Sequence, residues 1–119
     1  MAGQRMRRVN EAIREVLSEA LAEGLKDPRI GFVTVMSVDT SPDLSSAHVF
    51  VSVLGDEQAR EETLDGLRSS HGFLQSLLAH QLSLKRTPQL LFEYDETIDR
   101  GFRIDDILKE MGEPDRRDP

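Results

Sequence analysis

Residues 63–95 read TLDGLRSSHGFLQSLLAHQLSLKRTPQLLFEYD, and two periodicities meet inside them. Phe73, Leu74, Leu77, Leu78, Leu82 and Leu84 recur at helical spacing, whereas Leu90, Phe92 and Tyr94 alternate as in a strand. The period changes at Lys85-Arg86-Thr87-Pro88. Pro88 has no N–H and pushes Thr87 out of the α region, so a helix is expected to end before it and a strand to follow. The helical part has its own weak point. Gly66 and Gly72 each cost about 1 kcal/mol relative to alanine, and Ser69 and Ser70 compete for backbone hydrogen bonds. Two helices with a bend near Gly72 are expected. One long helix tolerating a glycine is the competing reading, because Leu64, Leu67, Leu74, Leu78 and Leu82 stay in phase along it.

Upstream, Val9, Ala12, Ile13, Val16, Leu17, Ala20, Leu21 and Leu25 predict an amphipathic helix from about Met6 to Leu25. Gly24 and Lys26-Asp27-Pro28-Arg29-Ile30-Gly31 close it and turn the chain. Phe32 to Asp39 and Ala47 to Leu54 are rich in β-branched residues. They predict a hairpin across a loop holding Pro42 and Asp43, with Ala47, Val49, Val51 and Val53 on one face and His48, Phe50 and Ser52 on the other. Asp56 is a suitable N-cap for the next helix, whose inward candidates are Ala59, Leu64 and Leu67. Ile104, Ile107, Leu108 and Met111 predict a last helix within 98–111, and residues 112–119, GEPDRRDP, offer nothing to bury and are expected to be disordered. The order helix, strand, strand, helix, helix, strand makes one α+β domain over residues 1–111, with a three-stranded sheet backed by helices.

The 119 residues carry a net charge of −7, which at face value argues against nucleic acid. Its distribution says more. Residues 1–14 hold Arg5, Arg7, Arg8 and Arg14 against Glu11 alone, whereas residues 56–65 hold Asp56, Glu57, Glu61, Glu62 and Asp65 against Arg60. Arginines near a helix N-terminus oppose the macrodipole, so helix stability does not explain them. An anionic partner would, and a frayed basic tail is the alternative. The second basic place is Lys85-Arg86. If the two adjoin in space they form a phosphate-contacting patch, suited to the shape and backbone of structured RNA because aromatic residues are few.

Enzymatic chemistry finds little support. His71 and His80 stand nine residues apart, about half a turn out of register, and there is no cysteine, so no metal site is expected. Glu93 and Asp95 alternate on the last strand, with Asp105-Asp106 beyond, but solvated surface is the simpler reading. No nucleophile elbow, Walker loop or dinucleotide fingerprint occurs. Neither catalytic residues nor a cofactor are expected. No apolar run is long enough to span a bilayer, and no secretory leader is legible, which suggests a soluble, unexported chain.

Several stretches taken together resemble the bacterial ribosome-binding factor A family. They are Arg8-Val9, Leu25 to Gly31, Val38-Asp39, Ser41 to Val49, Gly72-Phe73-Leu74, Leu77-Leu78 and Arg86 to Asp95. The resemblance implies a type II KH-like fold in which an interhelical kink, Ala-x-Gly, replaces the usual RNA-clamping loop. Here the kink reads Ser70-His71-Gly72, departing at its first position. It implies a noncatalytic, cytoplasmic and monomeric assembly factor that binds free small (30S) subunits and their 16S rRNA. It also implies a role in late maturation, rRNA processing and growth after cold shock, with no binding to assembled 70S ribosomes. The family's basic surface would fall on Arg7, Arg8 and Arg14, with Lys85 and Arg86 beside the kink and Arg5 in the same basic run. An alternative is a protein-interaction adaptor that uses the acidic face from Asp56 to Asp65.

Overall fold

A computed structural model describes residues 2–97. The first helix, α1 (Ala2–Glu23), begins before the expected start at Met6, because Ala2, Gln4 and Arg5 are strong helix formers that carry it past its apolar stripe despite Gly3. Arg5, Arg7 and Arg8 are therefore helical, which removes the frayed-tail reading. At the other end Gly24 adopts φ +94° and donates its N–H to the carbonyls of Ala20 and Leu21, a C-terminal cap that favours glycine.

Strands β1 (Val33–Thr40) and β2 (Ser46–Val53) form the expected antiparallel hairpin, with a bulge that leaves Met36 unpaired between Val35 and Ser37. Helices α2 (Glu57–Ser69) and α3 (His71–Gln81) then cross to β3 (Gln89–Tyr94), which pairs parallel with β2, so the sheet order is β1-β2-β3. This is the expected α+β, KH-like arrangement. The alternation in β2 holds, with Ala47, Val49, Val51 and Val53 buried beneath the helices, joined by Val35, Val38, Leu90 and Phe92. From the helices come Ile13, Val16, Leu17, Ala20, Leu67, Leu74 and Leu78. The opposite sheet face, carrying Met36, His48 and Phe50, is left without a helix among the described residues.

Asp56 caps α2 by accepting from Ala59 N at 2.9 Å, as expected. The inward face of α2 is less apolar than the leucine spacing suggests, because Thr63 and Gly66 are buried with Leu67, while Ala59 and Leu64 are half-buried. α3 ends at Gln81, well before Pro88, and Leu82 is already extended at φ −118°, ψ 136°. Leu82 and Leu84 thus continue no helix. The expected helix at 98–111 and the tail at 112–119 lie outside the described residues.

Candidate nucleic-acid interface

The helix break falls on Ser70, whose backbone at φ −88°, ψ 9° lies in the bridge region and serves both helices as a cap. Its N–H bonds to the carbonyls of Gly66 and Leu67, and its own carbonyl accepts from Leu74 N. The break thus falls on the first residue of the expected Ser70-His71-Gly72 stretch, two residues ahead of Gly72. Gly72 is an ordinary helical residue, and a methyl group there would meet nothing within 4 Å. His71 is half-buried, with Nε2 enclosed and without a hydrogen-bond partner among the described residues.

The bend is set by contacts that the local sequence does not advertise. Thr63, Gly66 and Ser69, spaced one turn apart, turn toward the loop at residues 27–31. Thr63 Oγ1 accepts from Gly31 N at 3.2 Å and donates to the Arg29 carbonyl at 3.4 Å. Arg29 grips Asp27 through Nε and Nη2 and donates to Ser69 Oγ at 2.8 Å. Hydrogen bonds from the Arg29 guanidinium, then from its backbone N–H, hold the Asp27 carboxyl at about 2. Gly66 leaves room for Ile30. α2 is pinned to this loop over its last two turns, and the chain breaks directly after the last contact.

Between the hairpin loop and the stretch leading to β3 lies a cleft of about 540 Å³. Arg5 reaches it from α1, Lys85 and Arg86 from the segment after α3, and Pro42, Asp43 and Leu44 from the hairpin loop. That loop is stiffened by Asp43, which accepts from Ser45 Oγ at 2.7 Å, Ser41 Oγ at 2.8 Å and Ser45 N at 3.0 Å. Those bonds, with a smaller contribution from the nearby charge of Arg86, hold the Asp43 carboxyl at about 2. Leu44 is the described non-glycine residue with positive φ, at 61°, a costly conformation kept by this network. Gln75 on α3 holds the start of β3, bonding the Pro88 carbonyl through Nε2 and accepting from Leu90 N at 3.3 Å. β3 is an outer strand of the sheet, so Gln75 stands in for strand partners at the start of its free edge.

The six basic residues named from the sequence do not form one patch. At about 100° per residue, Arg8 lies about 60° from Arg5 on the same flank of α1, while Arg7 and Arg14 turn to the opposite flank. That flank also carries Asn10, whose Oδ1 accepts from Thr40 N at 2.9 Å and ties α1 to the end of β1. Arg14 is engaged by Glu11 through two hydrogen bonds, which lower the Glu11 pKa and raise that of Arg14. Arg5, Arg8, Lys85 and Arg86 are exposed. Thr63, Gly66 and Gln75 escape a reading of the sequence, since none of them belongs to an apolar repeat.

The other candidates are engaged separately. Glu93 Oε2 lies 2.7 Å from His48 Nδ1, and the His48 ring stacks on Phe50 at 6.2 Å between centroids. Asp95 accepts from Thr97 N at 3.0 Å. No group of three metal-ligating side chains occurs among the described residues, and no helix among them is long and apolar enough to cross a membrane. On the acidic face Glu57, Glu61, Glu62 and Asp65 are exposed, with Gln58 donating to Glu62 at 3.0 Å.

Comparison with known proteins gives a consistent answer. The family model of ribosome-binding factor A matches residues 5–108. The ribosome-binding factor A of Geobacter metallireducens is 47% identical over 109 residues, covering 92% of each chain. Among solved structures, the crystal structure of ribosome-binding factor A from Thermus thermophilus superposes with a TM-score of 0.66 at 28% identity, over 75% of this chain and 93% of that one. A homology model of the Thermus thermophilus factor, fitted into a cryo-EM map of a 30S complex, gives 0.54 at 32% identity, over 71% and 93%.

Proposed function

This chain belongs to the ribosome-binding factor A family, and from that premise we propose that it is a noncatalytic assembly factor that docks on free small (30S) ribosomal subunits through their 16S rRNA. In this reading residues 1–111 carry the activity. The protein acts in the cytoplasm as a monomer, assists late subunit maturation and 16S rRNA processing, supports growth after cold shock, and leaves assembled 70S ribosomes unbound.

The observation that carries the reading is the convergence of Arg5, Lys85 and Arg86 on one cleft of a chain whose net charge is −7. A protein this acidic gains little from diffuse attraction to RNA, so phosphate must be met by a local group of cations. Arg8 extends that group along α1, and Asp43 inside the cleft, ionised through the neutral range, penalises a phosphate seated out of register. The placement of the Thermus thermophilus relative in a 30S complex supports the choice of partner. The test is sedimentation of the purified protein with separated subunits and with intact ribosomes across a range of salt. Co-migration with small subunits alone, lost as salt rises, is expected. Migration with no ribosomal particle at low salt overturns the reading.

A further inference from the structure

The flank of α1 that carries Arg5 and Arg8 changes sign along its length. About 100° per residue brings Glu15, Glu19 and Glu23 onto that same flank, nearer the C-terminal end. There, Glu19, Glu23 and Gln81 line one part of a groove of about 100 Å³ between α1 and α3, whose apolar part is made by Ala20, Leu25, Phe73 and Leu77. The groove continues past Phe73 into a hollow of about 330 Å³ reaching Lys26 and Ser70. α3 is apolar on more than its buried side. Leu74 and Leu78 face the core, whereas Phe73, one turn before Leu77, is 59% exposed and belongs to no buried cluster among the described residues.

We infer that this groove is a docking site for a lysine- and arginine-rich protein segment bearing an apolar side chain, separate from the RNA cleft. Charge complementarity selects that occupant. Glu19 and Glu23 are exposed and form no ion pair among the described residues, and Asp27 beside them is already held by Arg29. Among the described residues, Lys26 is the one basic side chain lining the groove and its hollow. Carboxylates repel phosphate, so RNA is disfavoured here, whereas a basic segment gains twice: its cations meet the glutamates or the Phe73 ring face, and its apolar residue enters the groove. From Arg5 to Glu19 the helix axis runs about 20 Å, so a subunit surface offering rRNA beside a basic protein tail would engage both ends of one flank.

The experiment titrates the full chain with a fluorescein-labelled peptide of Lys-Arg pairs separated by single leucines, read by anisotropy, and with a fragment of 16S rRNA as a parallel probe. Joint Glu19→Lys and Glu23→Lys, and separately Phe73→Ala, are expected to weaken peptide binding by about tenfold or more. Neither is expected to weaken rRNA binding. Joint Glu61→Lys and Glu62→Lys on α2 is expected to leave the peptide affinity within about threefold, as distant exposed charges should. The inference is overturned if the peptide does not bind, if Phe73→Ala leaves its affinity unchanged, if the α2 pair weakens it as much as the groove pair, or if the rRNA fragment competes for the groove. Circular dichroism of Phe73→Ala, an exposed position, verifies that the fold is kept. Loss of rRNA binding by the cleft residues is read separately, so the two sites fail or stand independently.

Discussion

Gly66 lies against Ile30 so closely that a methyl group at position 66 would stand 2.6 Å from Ile30 Cγ1. The same methyl would meet Arg29 Cβ and Asp27 Cγ at 3.4 Å. Two segments far apart in sequence are thereby fixed together one turn ahead of the helix break, and the two helical glycines of the 63–95 stretch acquire opposite meanings.

Gly66→Ala is therefore expected to destabilise by about 1–3 kcal/mol through overpacking, a cost that its better helix propensity only partly offsets. Gly72→Ala is expected to stabilise by about 0.5–1 kcal/mol, since its site is open and helical. Thermal unfolding of the two variants should move in opposite directions.

Gln75→Ala strips partners from the Pro88 carbonyl and the Leu90 N–H together. A loss of about 1–3 kcal/mol is expected from denaturant titration, with amide exchange fastest at the start of β3.

Asp27 and Asp43 both sit at about 2 in the folded protein against an ordinary 3.8. A depressed carboxyl pKa means the folded state favours the ionised form, so the stabilisation is complete above 3.8 and is lost as pH falls toward 2. Melting temperatures should drop through that window, and Asp27→Asn should flatten the drop.

Arg8→Glu is expected to weaken small-subunit binding and to lower its salt slope by about 1, whereas Arg7→Glu, on the far flank of α1, should change neither appreciably. Sedimentation of both variants at matched salt reads the difference.

Much of the fold is legible in the sequence because apolar period reports burial directly. The alternation from Ala47 to Val53 and the stripe from Ile13 through Ala20 need no tertiary knowledge. What stays hidden are contacts carried by single polar or missing side chains across long sequence separations: Thr63 to Gly31, Gly66 to Ile30, Gln75 to Leu90. No period announces these. Propensity marks Ser69, Ser70 and Gly72 together, and the structure breaks within that stretch at Ser70, where loop docking ends and bridge-region dihedrals suffice. The basic residues are legible as residues but not as a surface. Helical phase separates Arg5 and Arg8 from Arg7 and Arg14, and the i, i+3 spacing of Glu11 and Arg14 signals a pair that engages Arg14 within its own helix.

The central claim, that the cleft of Arg5, Lys85 and Arg86 is the phosphate-binding site, is tested most directly by sedimenting Arg5→Ala/Lys85→Ala/Arg86→Ala with free small subunits over a salt series. The account predicts a folded protein whose salt slope falls by about 2–3 and whose affinity falls by about a hundredfold at moderate salt, while Arg7→Ala/Arg14→Ala behaves as the parent. Unchanged slope and affinity in the triple variant would contradict it.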